Sequence, residues 1–98
     1  MEFVYEKQKD LIKGFIDLVF YHEGLYYIVD WKTNWLPEYS PEMIEESMLQ
    51  HAYHLQAKIY KEALKRYVKL FDQRPFEQLF GGAYYLYLRG MQWKSFLP

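Results

Sequence analysis

Two runs of β-branched and aromatic residues, Lys13 to Tyr21 and Leu25 to Thr33, flank the segment His22-Glu23-Gly24. Such runs around a Gly-containing turn predict an antiparallel β-hairpin. With Glu23-Gly24 as a two-residue loop, His22 faces Leu25, and the same register carried down the pair sets Asp17 opposite Asp30. Opposed side chains have Cβ atoms about 4.5 to 5.5 Å apart. A slip of one residue would turn one carboxylate to the other face. Lys32 emerges on the same face as Asp30, roughly 6.5 Å further along the strand. Phe15, Val19, Tyr21, Tyr26 and Ile28 share that face, while Ile16, Leu18, Phe20, Tyr27, Val29 and Trp31 take the other. A hairpin apolar on both faces is expected to be covered on both.

Met1 to Glu6 also alternates and reads as a strand, and Lys7-Gln8-Lys9-Asp10 as a polar turn into a strand beginning at Leu11 or Ile12. The three strands would form an antiparallel meander. Asn34 to Tyr39 is a loop, and Ser40-Pro41-Glu42 signals a helix start: Ser caps, Pro suits the first position, and Glu42, Glu45 and Glu46 favour the positive end of the dipole. Ile44, Met48, Ala52, Leu55, Ile59, Ala63, Tyr67 and Leu70 then recur close to the helical period. Helix is expected from Pro41 to about Phe71, as one element or as two with a break between Gln50 and Tyr53, since so long a run exceeds the usual globular helix. Its second half gathers Leu49, Tyr53, Ile59, Tyr60, Ala63, Leu64, Tyr67 and Phe71 on one side, opposite Lys58, Lys61, Lys65 and Lys69. The lysine stripe reads as a solvated face in preference to a DNA track. Asp72-Gln73-Arg74-Pro75 ends the helix, Gly81-Gly82 reads as a turn, and Ala83 to Leu88 as a further strand, parallel to a hairpin strand after the helical crossover. Met91 to Pro98 is expected as a loose tail.

Ninety-eight residues, 51% hydrophobic and 26% charged, fit one small globular domain with a modest core. The formal net charge of −1 provides no global basic field, so attraction to nucleic acid must come from local groups. Without cysteine there are no disulfides or thiolate metal sites. No apolar run reaches the roughly 18 residues of a membrane span, and the first residues lack a signal-peptide plan. A soluble cytoplasmic protein is the expectation.

Asp17, Asp30 and Lys32 carry the chemistry. Three charged groups within an apolar strand pair are costly to bury unless they pair or bind an ion. Spacing alone leaves two readings, an ion pair at the rim of a sheet or two carboxylates sharing a divalent cation. Gln56 falls in the middle of the helical apolar side beside Tyr60, where a buried amide needs a partner, structural or functional. His51 and His54 read as surface histidines in preference to a zinc pair, since no further His or Cys ligand accompanies them. His22 is expected to be solvated in the hairpin turn.

Gly14-Phe15-Ile16-Asp17 followed by Asp30-Trp31-Lys32-Thr33-Asn34 resembles the nuclease motif of the PD-(D/E)XK superfamily, and within it the RecB-like nucleases. The resemblance continues through Tyr53, Gln56 and Tyr60, which match the Gln-x-x-x-Tyr motif, and through Phe80 to Gly90. It implies an α/β, restriction-endonuclease-like fold: a mixed sheet of about four strands with a long helical crossover. The family's N-terminal helix, with its metal ligand, is not matched, so residues 1–98 are expected as a single nuclease domain incomplete at its start. By resemblance Asp17, Asp30 and the backbone carbonyl of Trp31 would bind Mg²⁺, with Mn²⁺ a substitute. Lys32 would act on the attacking water or the phosphate, and Gln56 and Tyr60 would hold DNA. The implied activity is metal-dependent exonucleolytic degradation of DNA, of the exodeoxyribonuclease V type, in double-strand-break repair and recombination. Implied partners are DNA, RecC-like and RecD-like subunits and a helicase part. The alternative expectation is a catalytically incomplete unit that folds and binds DNA or partners without turnover.

Overall fold

The computed structural model describes residues 1–7 and 10–96, and the side chains of all of these except residues 5–7 and 10–13. Its elements are β1 (Glu2–Lys7), β2 (Asp10–Phe15), β3 (Leu18–His22), β4 (Leu25–Lys32), α1 (Pro41–Gln50), α2 (Tyr53–Val68), a short 3₁₀ turn at Phe76–Gln78, β5 (Phe80–Tyr87) and β6 (Gln92–Phe96). The centre of the polar turn expected between the first two strands, Gln8-Lys9, lies outside the described residues.

The hairpin register is the expected one. His22 pairs with Leu25 and Leu18 with Val29. Glu23 and Gly24 both take positive φ, 50° and 84°, the conformation whose twist matches the flanking strands. The continuous strand expected from Lys13 to Tyr21 is instead interrupted at Ile16-Asp17, so that β2 and β3 belong to different sheets. β1 and β2 form a two-stranded ribbon, and the three-strand meander is replaced by a four-stranded sheet in the order β3-β4-β5-β6. The interruption reverses the alternation ahead of Asp17. Ile16 enters the core fully buried, while Phe15 is 63% exposed.

β5 lies parallel to β4, with Asp30 beside Tyr85 and Lys32 beside Tyr87, as the crossover through α1 and α2 requires. Gly81-Gly82, expected as a turn, lies within β5, where the register shifts between Tyr26 and Tyr27. Tyr26 pairs with Phe80 and Tyr27 with Gly82, so Gly81 is the extra residue of a bulge. The Tyr27 ring explains the glycine, because a Cβ on Gly81 would fall 2.3 Å from it. The expected tail contains β6, antiparallel to β5. Its alternating Trp93 and Ser95 become a strand only through that pairing.

The long helical segment divides at His51-Ala52, within the expected break. Ser40 caps α1, its Oγ accepting from Met43 N at 3.3 Å. Ala52 takes a left-handed conformation, φ 55°, at the junction. Both helices pack on one face of the sheet. α2 buries Ala63, Leu64 and Val68 against Ile16, Ile28, Phe80 and Ala83, with Phe3 of β1 closing the cluster. Under α1, Ile44 and Met48 meet Ala57, Tyr85 and Tyr87. Several positions of the expected helical stripe, including Leu49, Leu55, Tyr67, Leu70 and Phe71, are exposed. The expected stripe is too wide because it joins two helices into one phase. The opposite sheet face is only partly covered on the hairpin: Val29 is buried, but Leu18, Phe20 and Trp31 are exposed there, with Phe20 stacked on Tyr27 at 4.9 Å. The expectation of cover on both faces is therefore corrected. No helix of the described residues is long and apolar enough to cross a membrane.

Candidate active site

The interruption between β2 and β3 places Asp17 just before the hairpin, at the position where the register points to Asp30. Its Oδ2 accepts a hydrogen bond from Trp31 N at 2.9 Å. The Asp17 side chain thus serves the backbone of β4 at the point where β3 has ended. In a strand the N–H and C=O of one residue point to the same side, so the Trp31 carbonyl is directed toward that same edge.

Asp30 is only 4% exposed. Its Oδ2 lies 2.5 Å from Lys32 Nζ, and apart from that charge contact this buried oxygen has no hydrogen-bond partner among the described residues. Burial raises the Asp30 pKa above the ordinary carboxylate value, the bond and charge of Lys32 oppose the rise, and nearby Asp17 adds to it. Two carboxylates that act on one another, one buried and one exposed, make a site where added positive charge lowers the energy.

Lys32 is fixed from several directions. Its Nζ donates to Gln56 Oε1 at 3.1 Å and sits over the Tyr53 ring at 3.9 Å and the Tyr85 ring at 5.1 Å. Gln56 Oε1 also accepts from Tyr85 Oη at 2.7 Å. Tyr53 in turn exchanges contacts with Asn34, whose Nδ2 lies 3.2 Å from Tyr53 Oη. The ammonium is held between a carboxylate, an amide oxygen and two aromatic faces, an arrangement suited to a fixed point charge. Desolvation raises the pKa of Tyr85 strongly, with the Asp30 charge as the next cause.

The structure brings Asp17, Asp30, Lys32 and Gln56 together. Gln56 is half-buried, and its amide oxygen has partners in Lys32 and Tyr85. Tyr60 is buried, its ring edge-to-face with Phe3 at 5.5 Å, and its pKa is pushed up to about 12 by burial and then by the charges of Asp30 and Asp17. Sequence reasoning gave no role to Tyr85, Tyr53 or Asn34 around Lys32. The parallel pairing of Asp30 with Tyr85 would have pointed to the first of these, but it is fixed by a long-range register. His51 is exposed and stacks on Tyr53 at 5.2 Å. His54 is half-buried, with Nε2 2.9 Å from Glu45 Oε1, and His22 is exposed beside Glu23. Among the described residues no group of three or more His, Cys, Asp or Glu gathers as a metal cluster.

The RecBCD enzyme subunit RecB of Escherichia coli (strain K12) is 44% identical over 88 residues, 85% of this chain and 8% of the relative. The subunit of the same name from Haemophilus influenzae is 40% identical over 92 residues, 89% of this chain and 8% of the relative. The chain therefore spans only a small part of the length of these relatives. The sequence profile of the PD-(D/E)XK nuclease superfamily matches residues 1–95. On that match, and on the similarity to these RecB subunits, the chain belongs to the PD-(D/E)XK nuclease superfamily.

Proposed function

We propose that this chain carries a divalent-metal-dependent centre that hydrolyses DNA phosphodiester bonds, as the nuclease part of a RecB-type helicase-nuclease. The observation that carries the reading is the pairing of buried Asp30 with Lys32, next to an Asp17 carboxylate that is bonded to Trp31 N and close enough to act on Asp30. The donor set fits a hard cation. Asp17, Asp30 and the Trp31 carbonyl offer oxygen only, and the buried Asp30 Oδ2 has Lys32 as its one charge contact among the described residues. Mg²⁺, or Mn²⁺ in its place, keeps several waters and takes one or two carboxylates, so this set suffices. When bound, the ion supplies neutralising charge at the phosphate and an activated water.

The other groups act directly. Lys32, held by Gln56 and the two tyrosine rings, presents a fixed positive charge to the attacking water or to the phosphate oxygens. Gln56 and Tyr60 lie on the α2 side of the centre; Gln56 would hold Lys32 beside the DNA, and Tyr60, buried against Phe3, would back that side from the core. Exonucleolytic action, a role in double-strand-break repair and assembly with RecC-like and RecD-like subunits and a helicase part belong to the same proposal, supported by the similarity to RecB proteins.

A linear-DNA degradation assay on the 98-residue chain with Mg²⁺ or Mn²⁺ tests the proposal. Loss of metal-dependent cutting in Asp30→Ala and Lys32→Ala, each still folded, is the expected result. Metal binding without any cutting would favour a second reading, a centre that binds DNA or partners without turnover, and the absence of a third clustered ligand among the described residues is the observation on its side.

A further inference from the structure

A second surface on α2 has no part in the centre above. Lys58, Lys61 and Lys65 line a groove between α2 and the start of β5, and Lys69 extends it toward the end of the helix. Three adjoining cavities make up the groove. The middle one, of about 420 Å³, shares Lys58, Lys61 and Phe80 with a neighbour that reaches Phe96, and Lys65 and Phe76 with a neighbour that reaches Arg74. The lysines recur at three- and four-residue spacing, so one cation follows another by about 4.5 to 6 Å along the axis.

Electrostatics favour an anion here. None of the four ammonium groups pairs with a carboxylate of the described residues. Of the acidic groups in the groove, Glu62 pairs with Arg66 at 3.6 Å and Asp72 with Arg74 at 2.8 Å. Glu77 is left as the one carboxylate opposing the lysines among the described residues. The opposite wall is aromatic: Phe76 stacks on Phe80 with ring centroids 5.3 Å apart and planes 21° apart, and Lys61 Nζ lies over Phe80 at 5.2 Å. Phe80 is buried in the core, while Phe76 and Phe96 at the groove are half-buried against it.

A row of cations beside a half-buried aromatic edge is a combination that suits single-stranded nucleic acid, phosphates on one wall and a base against the other. An acidic peptide would use the lysines but not the half-buried ring of Phe76. We propose that the α2–β5 groove is a track for a single strand of nucleic acid, independent of the Asp17–Asp30–Lys32 centre.

Fluorescence anisotropy with a labelled oligothymidylate, in EDTA so that the metal centre is silent, tests the track. The proposal expects binding that weakens with salt, its log–log slope falling by about 1.4 in Lys61→Ala/Lys65→Ala, or about 0.7 for each phosphate no longer neutralised. It expects Phe76→Leu, which keeps the apolar volume but removes the π face, to weaken binding at least about fivefold, the low end of one base-stacking contribution. Calorimetric Mg²⁺ binding by the double lysine variant should match the unsubstituted chain, so failure of the track and failure of the metal centre are told apart. Equal competition by polyglutamate with no effect of Phe76→Leu would overturn the proposal in favour of an acidic peptide site. Unchanged affinity and slope in the double lysine variant would overturn it outright.

Discussion

Lys32 Nζ and Gln56 Oε1, 24 residues apart in the chain, meet at 3.1 Å, and the same amide oxygen takes the hydroxyl of Tyr85. Gln56 thus joins β4, α2 and β5 at one atom. Replacing it by leucine removes one acceptor from each donor, leaving Lys32 to Asp30 and Tyr85 to the Tyr53 carbonyl, a loss of about 1 to 3 kcal/mol. Urea denaturation of Gln56→Leu should show that loss, and cutting activity should fall as well because Lys32 is no longer held. Gln56→Glu, which keeps an acceptor for both donors, should recover much of the stability.

Asp30 makes stability depend on pH with a definite sign. Its folded-state pKa is raised above the unfolded value, chiefly by burial. The folded state therefore holds the proton more tightly. The resulting contribution is fully present below the unfolded pKa and is lost as pH rises through the folded pKa. Without metal, the stability of the unsubstituted chain relative to Asp30→Asn should decline as pH rises through that window. Denaturation series of both chains from acid to neutral pH check this, and a difference that stays constant or grows with pH would contradict the assigned cause.

Ala52 is a non-glycine residue at φ 55° between α1 and α2. A Cβ in the left-handed region costs about 1 to 2 kcal/mol, partly offset in a glycine variant by the greater freedom of the unfolded chain. Ala52→Gly should raise the unfolding free energy by about 0.5 to 1 kcal/mol and leave DNA cutting unchanged. Thermal or chemical unfolding of the two chains measures it.

What the sequence disclosed follows the range of the forces involved. The Asp17–Asp30 juxtaposition is readable because Glu23-Gly24 fixes the hairpin register locally. The strand break at Ile16-Asp17 is not, because the apolar run continues through it and the choice between one sheet and two is made by packing. Gly81-Gly82 reads as a turn since nothing local reveals that Tyr27 covers the first glycine. β6 escapes notice because Gln92 to Phe96 becomes a strand only against β5. Gln56 stands out as an amide in an apolar stripe, yet its true neighbour Lys32, and the aromatic faces of Tyr53 and Tyr85 around that lysine, depend on the parallel β4–β5 register. The hairpin's outer face is expected to be buried because it is apolar, and hydrophobicity alone does not place a second layer.

Calorimetric titration of the 98-residue chain with Mg²⁺, alongside Asp30→Ala, tests the central claim most directly. Saturable binding in the unsubstituted chain that disappears in Asp30→Ala, while the variant remains folded, is the result expected of Asp17, Asp30 and the Trp31 carbonyl acting as one metal site. The absence of binding in the unsubstituted chain, or binding that survives the loss of Asp30, would contradict it.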